Sequence, residues 1–554
     1  MNSSIARVCF TLILILASSF ALQAQTQPKS GKPTGSISGR ITIKNKGAAG
    51  IPVSLRRSEM SNPFEFMPGT VSDQDGNYRI TNINPGSYEV TPGSIAYVVA
   101  DSNNVRSRPV TVVEGENVEN INFSLVRGGV ITGKIIDADG RPAIQQPVRL
   151  VRADPPDPRN PQLPVRTSGS FNSQVTDDRG IYRLFGLAPG RYKVATGRPE
   201  DGSPNITMAG RATYKEVFYP DVTDVAKAAV IEVSEGSEAA NIDIALGRAS
   251  ETFSASGKVV DEKGVGIPNV RFTLRRLVGE RPEFMNAFIV SNATGNFASE
   301  GLLPGKYTVF LMQDANAELR PDNTAFDIID SDVSGITVRL LKGASISGVI
   351  VLESDDKQAF AKLVQLQIMG YVQSPSPNSF GASSRSTIGA DGSFRVGGLS
   401  AGMANVSLSP TMDMNQMKGF MVSRIERDGV VQARGIEVKD GEQITGVRMI
   451  VSYGNAAIQG VVTIQNGPLP SDARIVVRLT KPGENSSQLR PPRVDERGRF
   501  AADGIPPGPY EIWVNVIGGP QASRLPTTKQ LVNLQDGVTT EVSITLDLGA
   551  APKP

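Results

Sequence analysis

The sequence predicts an all-β protein: a tandem array of five β-sandwich domains behind an N-terminal export signal. Three observations predict it. Three short signatures recur five times in a fixed order. Each copy closes on a strand with strict two-residue alternation, the mark of a sheet with one buried face. Helical periodicity is nearly absent after residue 24, apart from one short helical turn expected near Val222 to Ala229.

Each copy begins with a short alternating strand ending at glycine: Ile37-Ser38-Gly39, Ile131-Thr132-Gly133, Ala255-Ser256-Gly257, Ile346-Ser347-Gly348 and Ile458-Gln459-Gly460. A glycine turn followed by an aromatic comes next, at Gly76-Asn77-Tyr78, Gly180-Ile181-Tyr182, Gly295-Asn296-Phe297, Gly392-Ser393-Phe394 and Gly498-Arg499-Phe500. Glycine supplies the positive φ of a tight hairpin, and the aromatic brings a large apolar area to the strand that follows. The third signature is Pro85-Gly86-Ser87-Tyr88, repeated at Pro189 to Tyr192, Pro304 to Tyr307 and Pro507 to Tyr510. Pro-Gly presets a type II turn. The fourth copy reads Ala401-Gly402-Met403-Ala404, without proline or tyrosine, and is expected to be the least stable or most altered. The closing strands carry Ile121, Phe123, Leu125; Ile242, Ile244, Leu246; Ile336, Val338, Leu340; Val447, Met449, Val451; and Val542, Ile544, Leu546.

The opening glycines lie roughly 90–125 residues apart, enough for each unit to hold its own core. The expected division is a signal peptide over 1–24, a linker over 25–34, sandwiches over 35–126, 127–247, 248–342, 343–452 and 453–548, and a tail over 549–554. Links of a few residues imply restricted motion between neighbours, and five domains in line imply a radius of gyration far above the roughly 24 Å of a single compact globule this size. At the N-terminus Arg7 precedes an apolar run from Val8 to Leu22, then Gln23-Ala24-Gln25. A basic start, a short apolar core and a small residue at the cut site fit a secretory signal. The run is short for a membrane span, so the mature chain is expected to have no transmembrane segment and to be secreted, periplasmic or on the cell surface.

These motifs resemble the carboxypeptidase regulatory-like domain of multi-repeat secreted bacterial proteins, a small seven-stranded transthyretin-like (prealbumin-like) and carbohydrate-binding-like β-sandwich. They are also similar to the B-type stalk repeats of collagen-binding adhesins. The resemblance covers nearly all of residues 35–548, and in the second copy includes the Phe218-Tyr219-Pro220 extension. It implies a tandem transthyretin-like fold and a secreted binding, adhesion or spacer protein, with polysaccharide or a cell-envelope protein as partner. A metallocarboxypeptidase centre would need histidine ligands, and there is no histidine. Some stalk repeats form a Lys–Asn bond inside the domain. The position after each opening glycine reads Arg40, Lys134, Lys258, Val349 and Val461, and alternation points Lys134 outward, so no such crosslink is expected.

Composition narrows the chemistry. The absence of histidine excludes Ser-His-Asp and Cys-His catalysis and His-ligated zinc. The one cysteine, Cys9, lies in the expected signal peptide, so the mature chain has no thiol, disulfide or thiolate metal site. With 57 basic and 55 acidic residues, the net charge of +2 gives no nucleic-acid footprint. No cofactor, metal or catalytic residue is expected, and the chain is not expected to be an enzyme. Asp73-Gln74-Asp75-Gly76-Asn77 superficially suggests a calcium loop, but position twelve would be Asn84 rather than glutamate, so a hairpin turn is the reading. The candidate ligand-binding residues are aromatic. On the strand after Pro-Gly, Thr91, Ala195, Phe310, Ser407 and Trp513 stand opposite the apolar face. Trp513, the only tryptophan, and Phe310 would then be available to stack on a sugar ring or anchor a protein. Phe64 and Phe66, in the long loop of the first copy, are the second candidate pair. Cover by a neighbouring loop or domain is the alternative for all four.

Overall fold

A computed structural model describes residues 34–549, except 59–66, 101–107, 154–174, 199–212, 279–280, 284–287, 313–316, 323, 355, 357, 373–382, 412–413, 471–472, 485–486 and 519–526. The expected signal peptide lies outside the described residues. The rest is a series of paired sheets. In the fifth repeat one sheet runs Arg499–Ile505, Ala456–Gln465, Thr539–Asp547, and the other runs Arg474–Thr480, Gly508–Ile517, Thr528–Leu534. The other four repeats elaborate this plan. The opening strand is always central, antiparallel to the strand carrying the aromatic and parallel to the closing strand, as in the pairs Ile41 with Phe123, Ile135 with Ile244, Val259 with Val338, Ile350 with Met449 and Val462 with Ile544.

The register explains the opening glycine. Gly39 pairs with Tyr78, Gly133 with Tyr182, Gly257 with Phe297, Gly348 with Phe394 and Gly460 with Phe500. These glycines do not end their strands as expected; Phe253–Val260 and Ala344–Glu353, for example, run straight through them. Glycine is needed there for close approach. A Cβ on Gly39, Gly133, Gly257 or Gly348 would strike the carbonyl oxygen of Ile121, Ile242, Ile336 or Val447 on the closing strand. The Tyr78 and Tyr182 hydroxyls donate to the same Ile121 and Ile242 carbonyls, at 2.5 and 2.6 Å.

The turns are fixed by side chains. Asp73 Oδ1 accepts the backbone N–H groups of Asp75 and Asn77, and Asp177, Asn292 and Asp495 repeat the arrangement two and four residues on. Asp73 therefore acts as a turn cap of the Asx type, consistent with the hairpin reading. After Pro-Gly, each buried tyrosine reaches back four residues: Tyr88 to Asn84 O at 2.6 Å, Tyr192 to Ala188 O and Tyr307 to Leu303 O at 2.7 Å, Tyr510 to Pro506 O at 2.9 Å.

Burial gives these phenols a pH signature. It raises the Tyr307 pKa to about 12, against a smaller lowering by Arg276, and raises Tyr78, Tyr182 and Tyr510 further still. A phenol whose folded pKa is raised favours the fold below its unfolded value near 10, and that contribution is lost as pH climbs through 10 toward the folded value. The absorbance of these phenolates at 295 nm is expected to appear only well above pH 10, together with loss of far-UV circular dichroism. A single phase near pH 10 with the dichroism intact would contradict this packing.

Each repeat has a core, the first built on residues between Ile37 and Leu125 and the second between Ile131 and Leu246, and the fifth takes in Met421 of the fourth. The fourth repeat is altered, as expected. It contains the helix Ala359–Leu363, lengthens to Phe420–Arg427 the strand that pairs with the closing strand at Tyr97–Val99 and Leu319–Pro321 in other repeats, adds Val430–Val431, and lacks the corner hydroxyl at Ala404. The helical turn expected near Val222 to Ala229 is only an isolated turn, with Lys227 N–H donating to Asp224 O.

The junctions share a second device. Four residues before each turn glycine stands a left-handed residue: Asn82, Gly186, Gly301, Gly398 and Gly504, with φ between 58° and 75°. At three junctions a residue at or just before the boundary between repeats lies against it. A Cβ on Gly128 or Gly343 would strike the backbone of Gly186 or Gly398, and Gly419 N–H donates to Gly504 O at 3.0 Å. Gly301 has no such neighbour. The second and third repeats are joined instead by buried Arg198, whose Nε donates to Glu283 at 2.6 Å, with Arg276 on the other oxygen at 3.0 Å. One expectation fails. The five domains are not simply in line, because strand Arg499–Ile505 of the fifth repeat packs on Gly86–Pro92 and Arg108–Val112 of the first. The linkers gave no sign of it, because complementary faces about 400 residues apart set it.

Candidate functional site

Trp513 and Phe310 stand on the outer faces, as alternation predicts. Tyr510, Ile512, Val514 and Val516 are buried inward, while Trp513 between them is half-buried and outward. Its strand is central, so cross-strand register places Arg478 on one side and Lys529 on the other. Lys529 Nζ lies 3.5 Å from the centre of the Trp513 ring system, and the indole N–H donates to Glu511 at 3.2 Å. Phe310 has the same cover: the Arg275 guanidinium sits 3.4 Å over its ring, and burial lowers the Arg275 pKa. Such cation–π contacts contribute about 0.5–2 kcal/mol, and each occupies an aromatic face that a sugar would need. The two rings lie in different sandwiches, each with partners from its own repeat. Phe64 and Phe66 lie outside the described residues. Alternation identified the faces but not the cations, because cross-strand neighbours follow from register.

The matching position of the second repeat is covered differently. Ala195 is buried beneath Phe218 and Ala228, with Val151 and Val222 around them, so the extension packs onto its own outer sheet. The small side chain at 195 makes the room. In the first repeat the residues made inaccessible are Ser87, Glu89 and Thr111, and the cover is the fifth repeat.

An open cleft of about 560 Å³ lies in the first repeat beside the Asp73 turn, lined by Arg40, Asp73, Asn77, Arg79, Glu119 and Asn122 among others. Much of its polar lining is engaged within the chain: Arg40 Nε donates to Asp75 O, Arg79 to Ser36 Oγ, and Asn122 accepts from Arg40 N–H. Its one aromatic, Tyr78, is buried and offers no stacking face. Among the described residues no group of three or more acidic, histidine or cysteine side chains is placed to hold a metal ion.

A family model for the second beta sandwich domain of BOS complex subunit NOMO1-like proteins matches residues 34–120, the first repeat. No curated protein matches the chain. Among solved structures, the chain is similar to a streptococcal ancillary pilin at 12% identity, covering 56% of this chain and 99% of the pilin with a TM-score of 0.25. It is similar to the major pilin subunit BcpA of Bacillus cereus at 13% identity, covering 56% and 99% with a TM-score of 0.15. Two B repeat units of the Staphylococcus aureus collagen-binding protein match at 11% identity, covering 76% and 100% with a TM-score of 0.14. At such identities and TM-scores nothing about ligand, partner or assembly transfers from these proteins. What the chain itself displays is an all-β series of sandwich repeats.

Proposed function

We propose that the mature chain is an exported, non-catalytic scaffold of the cell envelope, built of carboxypeptidase regulatory-like sandwiches that engage protein surfaces. The observation that carries this reading is the use of the outer sheet faces. One is covered by another repeat, one by its own extension, and the two aromatic ones by cations. They serve as packing surfaces, not as open aromatic platforms. Carbohydrate binding is the second reading. It is favoured by Trp513, half-buried on its outer face with the Glu511 carboxylate beside its indole N–H.

Pull-downs of residues 25–554 on insoluble polysaccharides and peptidoglycan, with Trp513→Ala and Phe310→Ala in parallel, separate the two. The expected result is no retention of any of the three proteins. Retention of the wild type that falls tenfold or more in Trp513→Ala would establish the sugar reading and overturn the first.

A further inference from the structure

The contact between the first and fifth repeats is chemically specific. Arg108–Val112 is the edge strand of its sheet, and an edge leaves a row of backbone groups unpaired. Here the fifth repeat caps them. Asp495 accepts Thr111 N–H at 3.1 Å, and Arg497 donates to Thr111 O at 2.5 Å. Thr111 Oγ1 donates to Arg499 O, and Ser87 Oγ to Ala501 O. Around these bonds lies a set of ion pairs. Glu116 holds Arg497 at 3.0 Å and Arg499 at 2.8 Å. Glu89, with its side chain 6% exposed, pairs with Arg56 of its own repeat and Arg493 of the fifth. Asp503 faces Arg57 of the first repeat and Lys418 of the fourth. Only the fifth copy carries arginine at both turn positions; the others read Asp75 and Asn77, Arg179 and Ile181, Thr294 and Asn296, Asp391 and Ser393.

We propose that this contact is an intramolecular clasp: the turn Asp495 to Arg499 grips the edge strand Arg108–Val112, closing the five sandwiches head to tail. Two features favour closure within one chain. The junctions are short and built from backbone-to-backbone or buried ionic contacts, so they preset the path from first repeat to last. Tethering also raises the effective concentration of one face at the other wherever the intervening geometry spans the two. The charges select the partner, because a like charge placed opposite is repelled. Glu116, Arg497 and Arg499, none of them fully buried, supply part of that selection.

The test is small-angle scattering of residues 25–554, at a dilution where light scattering shows monomer. Arg497→Glu with Arg499→Glu is expected to raise the radius of gyration about 1.3–1.5-fold, the change from a closed circuit of domains to an open row. Adding Glu116→Arg restores opposite charges and is expected to return the radius toward the wild-type value. Both arginines are partly exposed, and the Trp513 emission reports that the fifth repeat stays folded in each variant. A wild type as expanded as the double variant would overturn the proposal. So would a triple variant that stays expanded.

Discussion

Replacing Gly257 with valine is expected to unfold the third repeat while the other four keep their structure. Gly257 sits between Phe297 on one strand and Ile336 on the other, and an added Cβ would meet the Ile336 carbonyl oxygen, carbonyl carbon and side chain. Most of these atoms belong to backbone held on both sides by sheet hydrogen bonds, so they cannot yield as a flexible side chain would. Opening the parallel pair would expose Ala255, Val259, Val338 and Leu340, all buried. Core overpacking ordinarily costs about 1–3 kcal/mol. A collision with a fixed main chain belongs to the tail above about 4 kcal/mol, comparable to the whole stability of a marginal domain. Hydrogen exchange read by mass spectrometry would localise the effect. Strands Phe253–Val260, Asn296–Leu302 and Val333–Lys342 should lose protection together. Unchanged protection there would show that the close approach is not rigid.

Tyr510→Ala is expected to destabilise the fifth repeat by about 3–5 kcal/mol, the range for removing a buried large aromatic. Tyr510 is 1% exposed, packs with Ile458, Phe500 and Ile512, and closes its own turn through Pro506 O. Tyr510→Phe keeps the ring and removes only the hydroxyl, so a cost of about 1 kcal/mol is expected. Trp513, as the sole tryptophan, makes the fluorescence change in urea a report on this repeat alone. Equal midpoints for the two variants would mean that the ring contributes no more than its hydroxyl. The fourth repeat has Ala404 at this position, with a helix and the long strand Phe420–Arg427 around a core extending from Ala344 to Tyr453.

Much of the architecture was legible in the residues themselves, because turn glycines, prolines and two-residue alternation act over a few positions. The repeat order, the all-β class, the outward side of Trp513 and the altered fourth copy all follow from such local rules. Lys134 is exposed, as alternation predicts. The opening glycine was visible as a signature but misread as a strand end, since its purpose is to let in a closing strand about 80–110 residues later. Tertiary structure alone decided what covers each outer face. Lys529 and Arg275 reach their rings across a register that no sequence spacing reveals, and Phe218 and Ala228 reach Ala195 through a folded-back extension. It alone decided the meeting of Thr111 and Glu116 with Asp495, Arg497 and Arg499. Sequence patterns report which groups a chain must bury or bend. Which distant groups then meet depends on rigid domains summed through fixed junctions, and that information does not reside in any one stretch of residues.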